Sequence, residues 1–548
     1  MVTSNSPGSG SSPTGRTRRS IMRLTAALTA SAGITGCLGD DDDDTGDGGT
    51  GNGEASSEAA IAPATGPTTL DPHNHAETTT STILVHFYDG LVMRDTNMEI
   101  MPALAEDWEN VDGTTWRFDI RDGVEFSNGE EFTAETAKYN LERVSDNLEG
   151  ADATVNQDDY SSIDTVEVVD DNSIQVSLSR PDPIFLERQA QLRMVPKEFT
   201  EENGFDELEN NPVGKGPYEL EDWTRDQEMV MTARSDYFGG EPAIETVRWL
   251  PTPESSARVG LLTSGEVDLI RSAQPRDEET IDAAANTQIK KVPSARGAAV
   301  WLNMQAEIPG GDEPVFHNNP EVRWAVNLAV DVPAIIENIL IDNGFQIHGW
   351  AYNEDFLGYN DEIEAYPHDP ERAQQLLEEA GYGDGFETTL LVPRGRYFKG
   401  VSTAEAVATQ LADVGIDVTL DTPEFGTFAE RTQEGDIPGM MFAAWGNSTF
   451  NAIDPYSVHV HPDGLFSLLP QENQPEWVGE IAGLIEQAQS TTDREQLGDL
   501  IFQIEEMVHE QALFMFMFQY RDVYGLRDTL NWEPRSDELV YMQPASFG

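Results

Sequence analysis

The chain has 548 residues, which is too long for one ordinary hydrophobic core and favours two or three domains. Its 99 Asp and Glu residues against 33 Lys and Arg residues give a formal net charge of −66, which excludes nucleic acid and anionic lipid head groups as partners. A single cysteine excludes an intramolecular disulfide bond.

The charge balance also indicates the solvent in which the protein works. Only six of the basic residues are lysines. At about 1 M salt the Debye length falls to roughly 3 Å, so the self-repulsion of so acidic a chain is nearly screened. We interpret the charge as an adaptation to high salt, similar to that of proteins from salt-loving archaea. A surface that buffers cations is the alternative.

The N-terminus has the features of an export signal. Arg18 and Arg19 precede a moderately apolar stretch, residues 24–35, and together they resemble a twin-arginine signal. That stretch is too short to span a bilayer, which needs about 20 residues. It leads into Cys37, in a context that resembles a lipobox, where the cysteine is lipidated and becomes the new N-terminus. We expect residues 1–36 to be a twin-arginine signal peptide; an incidental cysteine in a cleaved signal is the alternative.

An acidic and glycine-rich segment follows the cysteine. Asp40–Asp44 and the Gly, Asn and Ser residues after them cannot bury apolar area, and their charges favour an extended chain. We expect residues 37–58 to be a disordered tether between a lipid anchor at Cys37 and the folded domains.

Helix and strand patterns begin in the next part of the chain. Thr133 is placed to cap a predicted helix. The pair Asp171-Asn172 joins two predicted strands, Val166–Val169 and Ser173–Leu178, in a hairpin. Asn319-Pro320 and Asp369-Pro370 each place a capping residue before a first-turn proline and predict two further helices.

The C-terminal part continues this alternation. Thr388–Val392 and Asp417–Leu420 flank a predicted helix at 403–413, which indicates a strand–helix–strand unit. A long predicted helix follows Thr492, and the apolar run Leu513–Phe518 is short enough for a buried strand. Mixed elements of this kind predict α/β lobes in which helices pack on sheets.

Eight phrases, taken in chain order, resemble one protein family. They are Leu70-Asp71-Pro72, Tyr88-Asp89-Gly90-Leu91, residues 102–108, residues 116–135, residues 214–218, residues 264–268, Val322-Arg323 with Ala325, and residues 376–382. Together they resemble the extracellular solute-binding proteins of dipeptide, oligopeptide and nickel ABC importers, known as family 5. The resemblance extends over nearly the whole chain beyond the tether.

The resemblance implies an α/β fold of the two-lobed periplasmic-binding-protein type, with an extra inserted domain and a ligand cleft between lobes that close around the ligand. The boundaries that we expect are lobe I from residues 59–100, 205–300 and 516–548, a small inserted domain from residues 101–204, and lobe II from residues 301–515.

The family also implies a function. We expect an extracellular substrate-binding lipoprotein, exported by the twin-arginine route, that delivers a small oligopeptide-like or otherwise polar solute to the membrane subunits of an ABC permease. We expect a monomer with no cofactor. The alternatives are a sugar, oligosaccharide or metal chelate as the ligand, or a sensor lipoprotein that feeds no importer.

The sequence offers little evidence for two other classes of function. A secreted hydrolase is not expected, because the phrase that begins His509-Glu510 has Leu513 where a zinc protease has its second histidine. We expect neither catalytic residues nor a metal site, although the histidine pairs His73/His75 and His459/His461 leave metal binding open.

Three segments supply candidate ligand contacts. The loop after Asp71-Pro72 carries His75 and Glu77, near a position where oligopeptide-binding relatives have a cleft residue. The second segment carries Arg394, Arg396 and Tyr397. By resemblance, Arg396 matches the arginine that binds the carboxylate of a peptide ligand, for which a planar guanidinium is suited.

The third segment carries Trp445, Asn447 and Ser448. Peptide-binding relatives have an aspartate at the position of Ser448, and that carboxylate pairs with the ligand's amino group. A hydroxyl cannot replace this charge, so the sequence departs here from the peptide-binding pattern. Asn447 or Asp454 could compensate, and a neutral, hydroxyl-rich ligand such as a sugar would also suit this segment.

Overall fold

The computed structural model describes residues 57–548, except for residues 76, 146–147, 149–153, 155–156, 308–313, 318 and 472. The predicted signal peptide, Cys37 and nearly all of the predicted tether therefore lie outside the described residues. None of the helices in the described part combines the length and the apolar character that crossing a bilayer requires.

The structure alternates strands and helices. The strands are β1 Glu58–Ala62, β2 Val92–Arg94, β3 Ile100–Pro102, β4 Ala105–Asn110, β5 Thr115–Ile120, β6 Ile163–Asp170, β7 Ser173–Leu178, β8 Tyr218–Thr224, β9 Glu228–Ala233, β10 Thr246–Trp249, β11 Leu269–Ile270, β12 Thr287–Leu302, β13 Gly344–Gln346, β14 Phe386–Leu391, β15 Ile416–Asp421, β16 Met440–Gly446, β17 Phe514–Arg527, β18 Leu530–Asn531 and β19 Ser546–Phe547.

The helices complete the fold. They are α1 Thr78–Leu84, α2 Ala134–Val144, α3 Phe185–Gln189, α4 Lys197–Asn203, α5 Ser255–Ser264, α6 Pro275–Ala283, α7 Pro320–Ala329, α8 Val332–Asn338, α9 Pro370–Glu379, α10 Gly400–Asp413, α11 Phe425–Gln433, α12 Ile453–His459, α13 Glu476–Gln489 and α14 Arg494–Glu510.

The main sheet runs through both lobes. Its strand order is β15-β14-β16-β12-β17-β11-β1-β10-β9-β8, and β13 pairs with β17 beside this path. The strands β15, β14 and β16 belong to lobe II, and those from β11 to β8 belong to lobe I. The two-lobed α/β fold that the sequence predicts is confirmed, since the two sides have separate hydrophobic clusters.

The long antiparallel strands β12 and β17 connect the lobes. Residues 296–302 of β12 pair with β16 of lobe II, whereas Leu269 and Ile270 of lobe I pair with the C-terminal part of β17. The pairing between β12 and β17 shifts register between Pro293 and Gly297. These two strands are therefore the crossing segments, and their irregular stretch lies between the lobes.

A separate four-stranded sheet has the order β4-β5-β7-β6 and packs against α2. Its strands fall within residues 101–204, where the sequence predicts the small domain. Its buried side chains belong to the same hydrophobic cluster as those of lobe I. The small sheet is thus joined to lobe I by a shared core, and the domain boundaries stay a prediction.

Most of the predicted elements are confirmed. The hairpin forms between β6 and β7, and β14, α10 and β15 form a parallel strand–helix–strand unit. Thr133 and Asp369 cap their helices by accepting from backbone N–H groups. Asn319 does not cap α7, because its side-chain amide donates to the carbonyl of Val315 instead.

A buried ion pair fixes the loop that follows β1. The two oxygens of Asp71 accept from Arg143 of α2 at 3.1 and 2.7 Å. Arg143 also donates to Nδ1 of His73 at 2.8 Å, so Nε2 of His73 carries the hydrogen and donates to the carbonyl of Arg193 at 2.6 Å. Burial, reinforced by the charge of Arg143, lowers the pKa of His73 to about 3, which keeps the ring neutral.

Replacing Arg143 by Ala should lower the free energy of unfolding by about 3–5 kcal/mol, because it leaves the buried carboxylate of Asp71 without its partner. Urea denaturation at fixed salt measures this. Arg372→Ala is the matched control: the Arg372–Glu379 pair is exposed on α9 and should contribute less than about 1 kcal/mol. Equal losses for the two variants would contradict a structural role for the buried pair.

Candidate ligand-binding site

Three cavities lie between the lobes. The first, which we name the arginine cavity, has a volume of about 430 Å³ and includes residues of both crossing strands. The second, the histidine cavity, has about 290 Å³ and includes His75 and Ser448. The third, the acidic cavity, has about 800 Å³ and is lined by five carboxyl groups and two arginines, namely Glu99, Glu187, Glu354, Asp355, Asp361, Arg94 and Arg494.

The arginine cavity is set apart by its charge. Four of its eighteen lining residues are arginines, whereas Lys and Arg together supply only 33 of 548 residues in the chain. The four come from different elements: α5, β12, the loop after β14, and β17; they are Arg258, Arg296, Arg396 and Arg521. The fold therefore gathers scarce cations at one place between the lobes.

These arginines differ in the number of hydrogen bonds that they already form with the protein. Arg258 donates to the carbonyls of residues 252, 253 and 272, and Arg521 donates to the carbonyl of Asp342. Arg296 is 3.9 Å from a carboxylate oxygen of Glu538, too far for a hydrogen bond. Arg396 has no hydrogen bond or ion pair with any described residue, and its guanidinium lies 5.0 Å from the ring centre of Phe425. Arg296 and Arg396 thus retain donors for a ligand.

Two carboxyl groups face the arginines. Oε1 of Glu538 accepts from the hydroxyl of Ser294 at 2.9 Å. Burial, with the nearby charge of Glu538, raises the pKa of Asp522 to about 8. Tyr397 adds a hydroxyl whose pKa is raised by burial, so it is neutral and can both donate and accept. The cavity therefore offers donors for an anion together with acceptors on its other side.

The histidine cavity lies on the other side of a short segment. Asp537 and Leu539 line the histidine cavity, and Glu538 between them lines the arginine cavity. The backbone of Glu538 has a φ of 64°, which a non-glycine residue rarely adopts. Its carbonyl accepts from Arg271 at 2.8 Å. The segment around Glu538 is thus the wall between the two cavities.

Of the two residues predicted in the first segment, one lines a cavity and the other does not. His75 lines the histidine cavity, beyond the loop that Asp71 and Arg143 fix, and burial lowers its pKa. Glu77 is exposed, accepts from the hydroxyl of Thr68 at 3.2 Å, and lines none of the three cavities. Only His75 of this pair is placed to meet a ligand between the lobes.

The second segment is divided in the same way. Arg396 and Tyr397 line the arginine cavity. Arg394 is exposed, donates to the hydroxyl of Thr422 at 2.8 Å, and forms an isolated bridge with Glu424. Both arginines are exposed, and the chain turns between them at Gly395, which has a φ of 75°.

The third segment serves mainly to shape the protein. Asn447 is fully buried; its backbone N–H donates to the carbonyl of Ala295, and its side chain accepts from Thr449. Trp445 packs edge-on against His459 at 4.4 Å between ring centres. Neither lines any of the three cavities. Their role as ligand contacts stays a prediction, and the geometry gives both a role in packing.

Ser448 faces Gln191, which belongs to residues 101–204, across the cleft. It lines the histidine cavity, its hydroxyl donates to Oε1 of Gln191 at 3.3 Å, and its carbonyl accepts from the Gln191 amide. Further contacts between the sides are made by Arg94, which donates to the carbonyl of Thr449 at 2.7 Å. The two lobes are therefore in direct contact along the cleft.

The sequence did not reveal the contributions of the crossing strands. Ser294 and Arg296 on β12, and Tyr520 and Asp522 on β17, line the arginine cavity. A usable signal was present, because the charged pair Arg521-Asp522 lies three residues beyond the end of the apolar run Leu513–Phe518. Charged residues near the end of a buried strand indicate either that the strand becomes exposed there or that it lines a cavity. In this protein the strand lines a cavity.

Metal ligation finds no support in the positions of the histidines. Among residues 57–548, as far as they are described, no three His, Cys, Asp or Glu side chains are grouped as ligands of an ion. Both ring nitrogens of His73 have protein partners, and His459 lies among aromatic rings.

Similar proteins are known at the levels of sequence and structure. The chain is 28% identical over 410 residues to the glutathione-binding protein GsiB of Escherichia coli O1:K1 / APEC, covering 73% of this chain and 76% of that protein. The fold matches HbpA2 from Haemophilus parasuis with a TM-score of 0.80 and 22% identity, over 90% of this chain and 100% of the other.

A second solved structure shows the same fold with a bound ligand. The periplasmic binding protein DppA from Helicobacter pylori, in complex with the peptide STSA, matches with a TM-score of 0.70 and 23% identity, over 90% of this chain and 98% of that one. The model of the family described as "Bacterial extracellular solute-binding proteins, family 5 Middle" matches residues 99–466. The chain therefore belongs to the family 5 extracellular solute-binding proteins, which deliver a bound solute to an ABC importer.

Proposed function

We propose that the solute is a small anionic, peptide-like molecule and that it is held in the arginine cavity. The observation that carries this proposal is the gathering of four arginines in a chain of net charge −66. A guanidinium offers paired N–H donors that match a carboxylate. The sequence relative GsiB, which is named a glutathione-binding protein, supports the choice of ligand class.

Closure follows from the position of the cavity. Its lining comes from lobe I, from both crossing strands and from lobe II. A ligand held there contacts both lobes, so its binding energy favours the closed arrangement over the open one. The closed form is the one that would dock on the permease. The ligand is bound and released unchanged in this proposal, as the names of the relatives, which are binding proteins, also suggest.

The remaining features concern location and solvent. Export by the twin-arginine route, a lipid at Cys37, a tether over residues 37–58, adaptation to high salt and a monomeric state are part of the same proposal. The sequence motifs around Arg18-Arg19 and Cys37 support export and anchoring, and the excess of acidic residues supports the salt adaptation.

Glutathione should bind the wild-type protein and raise its melting temperature at high salt. Arg296→Ala should weaken binding by roughly 10–100-fold and Arg396→Ala by about tenfold, because each removes a charged hydrogen bond worth about 1.5–3 kcal/mol or, at a more exposed site, somewhat less. Isothermal titration calorimetry measures the affinities. Arg372→Ala, on the exposed face of α9, is the control and should bind like the wild type.

Two outcomes would count against the anionic ligand. Unchanged affinity in both arginine variants would show that the ligand lies elsewhere. Binding of a neutral oligosaccharide such as maltose, with no response to glutathione, would favour the sugar alternative. An anionic metal chelate such as Fe(III)-EDTA is a further probe, and preference for it over glutathione would favour the chelate alternative.

Replacing Cys37 by Ala should move the exported protein from the membrane fraction to the medium, because it removes the proposed lipid attachment site. Fractionation of cells followed by immunoblotting measures this. Ser31→Ala, within the same predicted signal peptide, is the control and should leave the protein on the membrane. Retention of the Cys37 variant on the membrane would refute the lipid anchor.

A further inference from the structure

Asp522 occupies a particular position on the second crossing strand. Successive side chains of a strand point to opposite faces, so Tyr520, Asp522 and Tyr524 share one face of β17. Tyr520 and Asp522 line the arginine cavity, as do Arg521 and Val523, and the backbone of Asp522 pairs with Val292 of β12. Asp522 is therefore held at the cavity by the pair of strands that joins the lobes.

The carboxyl group of Asp522 is incompletely satisfied. The residue as a whole is half-buried, but its Oδ2 is fully shielded from solvent and has no hydrogen-bond partner among the described residues. No cation in that part of the chain forms an ion pair with it, although the charges of Arg271 and Arg296 are close enough to act on it. Burying a carboxylate without a partner costs free energy, and contact with a cation or a hydrogen-bond donor recovers part of that cost.

The other carboxyl group of the cavity is already engaged. Oε1 of Glu538 accepts from Ser294, and its main chain is held by Arg271. Asp522 is thus the cavity's acid with a carboxyl oxygen that has no hydrogen-bond partner among the described residues. Arg296 and Arg396, which also line the cavity, are the cations whose N–H groups remain available to a ligand.

We propose that Asp522 accepts the cationic nitrogen of the ligand, so that the arginine cavity selects molecules that carry an ammonium group as well as an anionic group. This inference rests on the proposed function and deepens it. Arg296 and Arg396 bind the anion, and Asp522 on β17 distinguishes a free amine from a blocked one. The residue that binds the positive charge of the ligand therefore lies on the crossing strand β17. The Trp445–Ser448 segment is not needed to bind that charge.

Binding of an ammonium group at Asp522 is coupled to the release of a proton. Burial keeps Asp522 largely protonated at neutral pH, because its pKa is raised to about 8. An ammonium group pairs with the ionised form, so binding expels the proton to solvent. Affinity for an amine therefore increases as the pH rises from about 6 to 7.5, by up to about tenfold per pH unit.

Several charged and titratable groups face Asp522. They are Arg271 after β11, Arg296 on β12, Tyr397 after β14, Tyr520 and Tyr524 on its own strand, and Glu538 in the C-terminal segment. Burial raises the pKa of all three tyrosines, so they stay neutral.

Calorimetric titration with two matched pairs of probes tests the inference. The pairs are glutathione with N-acetylglutathione, and the dipeptide Ala-Ala with its N-acetyl form. Wild-type protein should bind the free amine of at least one pair at least tenfold more tightly than the acetylated form. Titrations in two buffers of different ionisation enthalpy should show release of a proton with the free amine alone.

Asp522→Asn should abolish both the preference and the proton release while keeping the affinity for the acetylated probe. Retained binding of that probe separates a lost ammonium contact from misfolding. Asp528→Asn, just beyond the end of β17 and exposed, is the matched control and should behave like the wild type.

The outcomes separate this inference from the function on which it rests. Equal binding of free and acetylated probes by the wild type, or a preference that persists in Asp522→Asn, overturns the role of Asp522 and leaves the arginine cavity in place. Both wild-type measurements stand even where the variant fails to fold. Failure of all four probes to bind the wild type rejects the proposed ligand class and this inference with it.

Discussion

The antiparallel pairing of β12 with β17 is the constraint on which the rest of the structure depends. The two strands pair with each other along the cleft. On its other edge, β12 pairs with β16 of lobe II, and β17 pairs with β11 of lobe I. The pairing lapses between Pro293 and Gly297, which is the stretch that places Ser294 and Arg296 at the cavity. The ring of Tyr352 occupies the space that a side chain at Gly297 would need. The irregular stretch thus positions side chains that line the arginine cavity and leaves the connection between lobes less tightly paired.

The charge of the protein and the charge of its cavity are compatible for a physical reason. In dilute solution, a surface of net charge −66 would slow the approach of an anionic solute. At about 1 M salt the Debye length is roughly 3 Å, so this repulsion hardly extends beyond the surface. Contacts at hydrogen-bond distance are not weakened to the same degree. A few arginines in a partly enclosed cavity can then determine which solute is held.

Much of the fold followed from local patterns. Thr133 and Asp369 cap helices as their spacing predicts, and the apolar run that begins at Leu513 leads into a buried strand. The length of that strand was beyond local reasoning, because its second half is stabilised by pairing with β12, which lies more than 200 residues earlier. Asn319 shows the same limit, since a nearby carbonyl competes for its side chain.

The candidate site was less predictable than the fold. Arg396, Tyr397, His75 and Ser448 were found because they lie in recognisable phrases, and they line cavities between the lobes. Whether a side chain in such a phrase faces the cleft depends on turns such as that at Gly395, which sequence patterns do not resolve. The charged residues of the crossing strands belong to no phrase, and only the pairing of distant strands brings them together.

The wall between the arginine and histidine cavities comes from residues 537–539, and Glu538 in it lies 244 positions after Ser294, from which it accepts a hydrogen bond. β17 is likewise far in sequence from β12, with which it pairs. Pairing of segments so far apart in sequence is slow, because a long loop must be closed before any contact compensates for it. We therefore expect the arginine cavity to form late in folding, and a chain released before β17 is made would have neither the second crossing strand nor the wall.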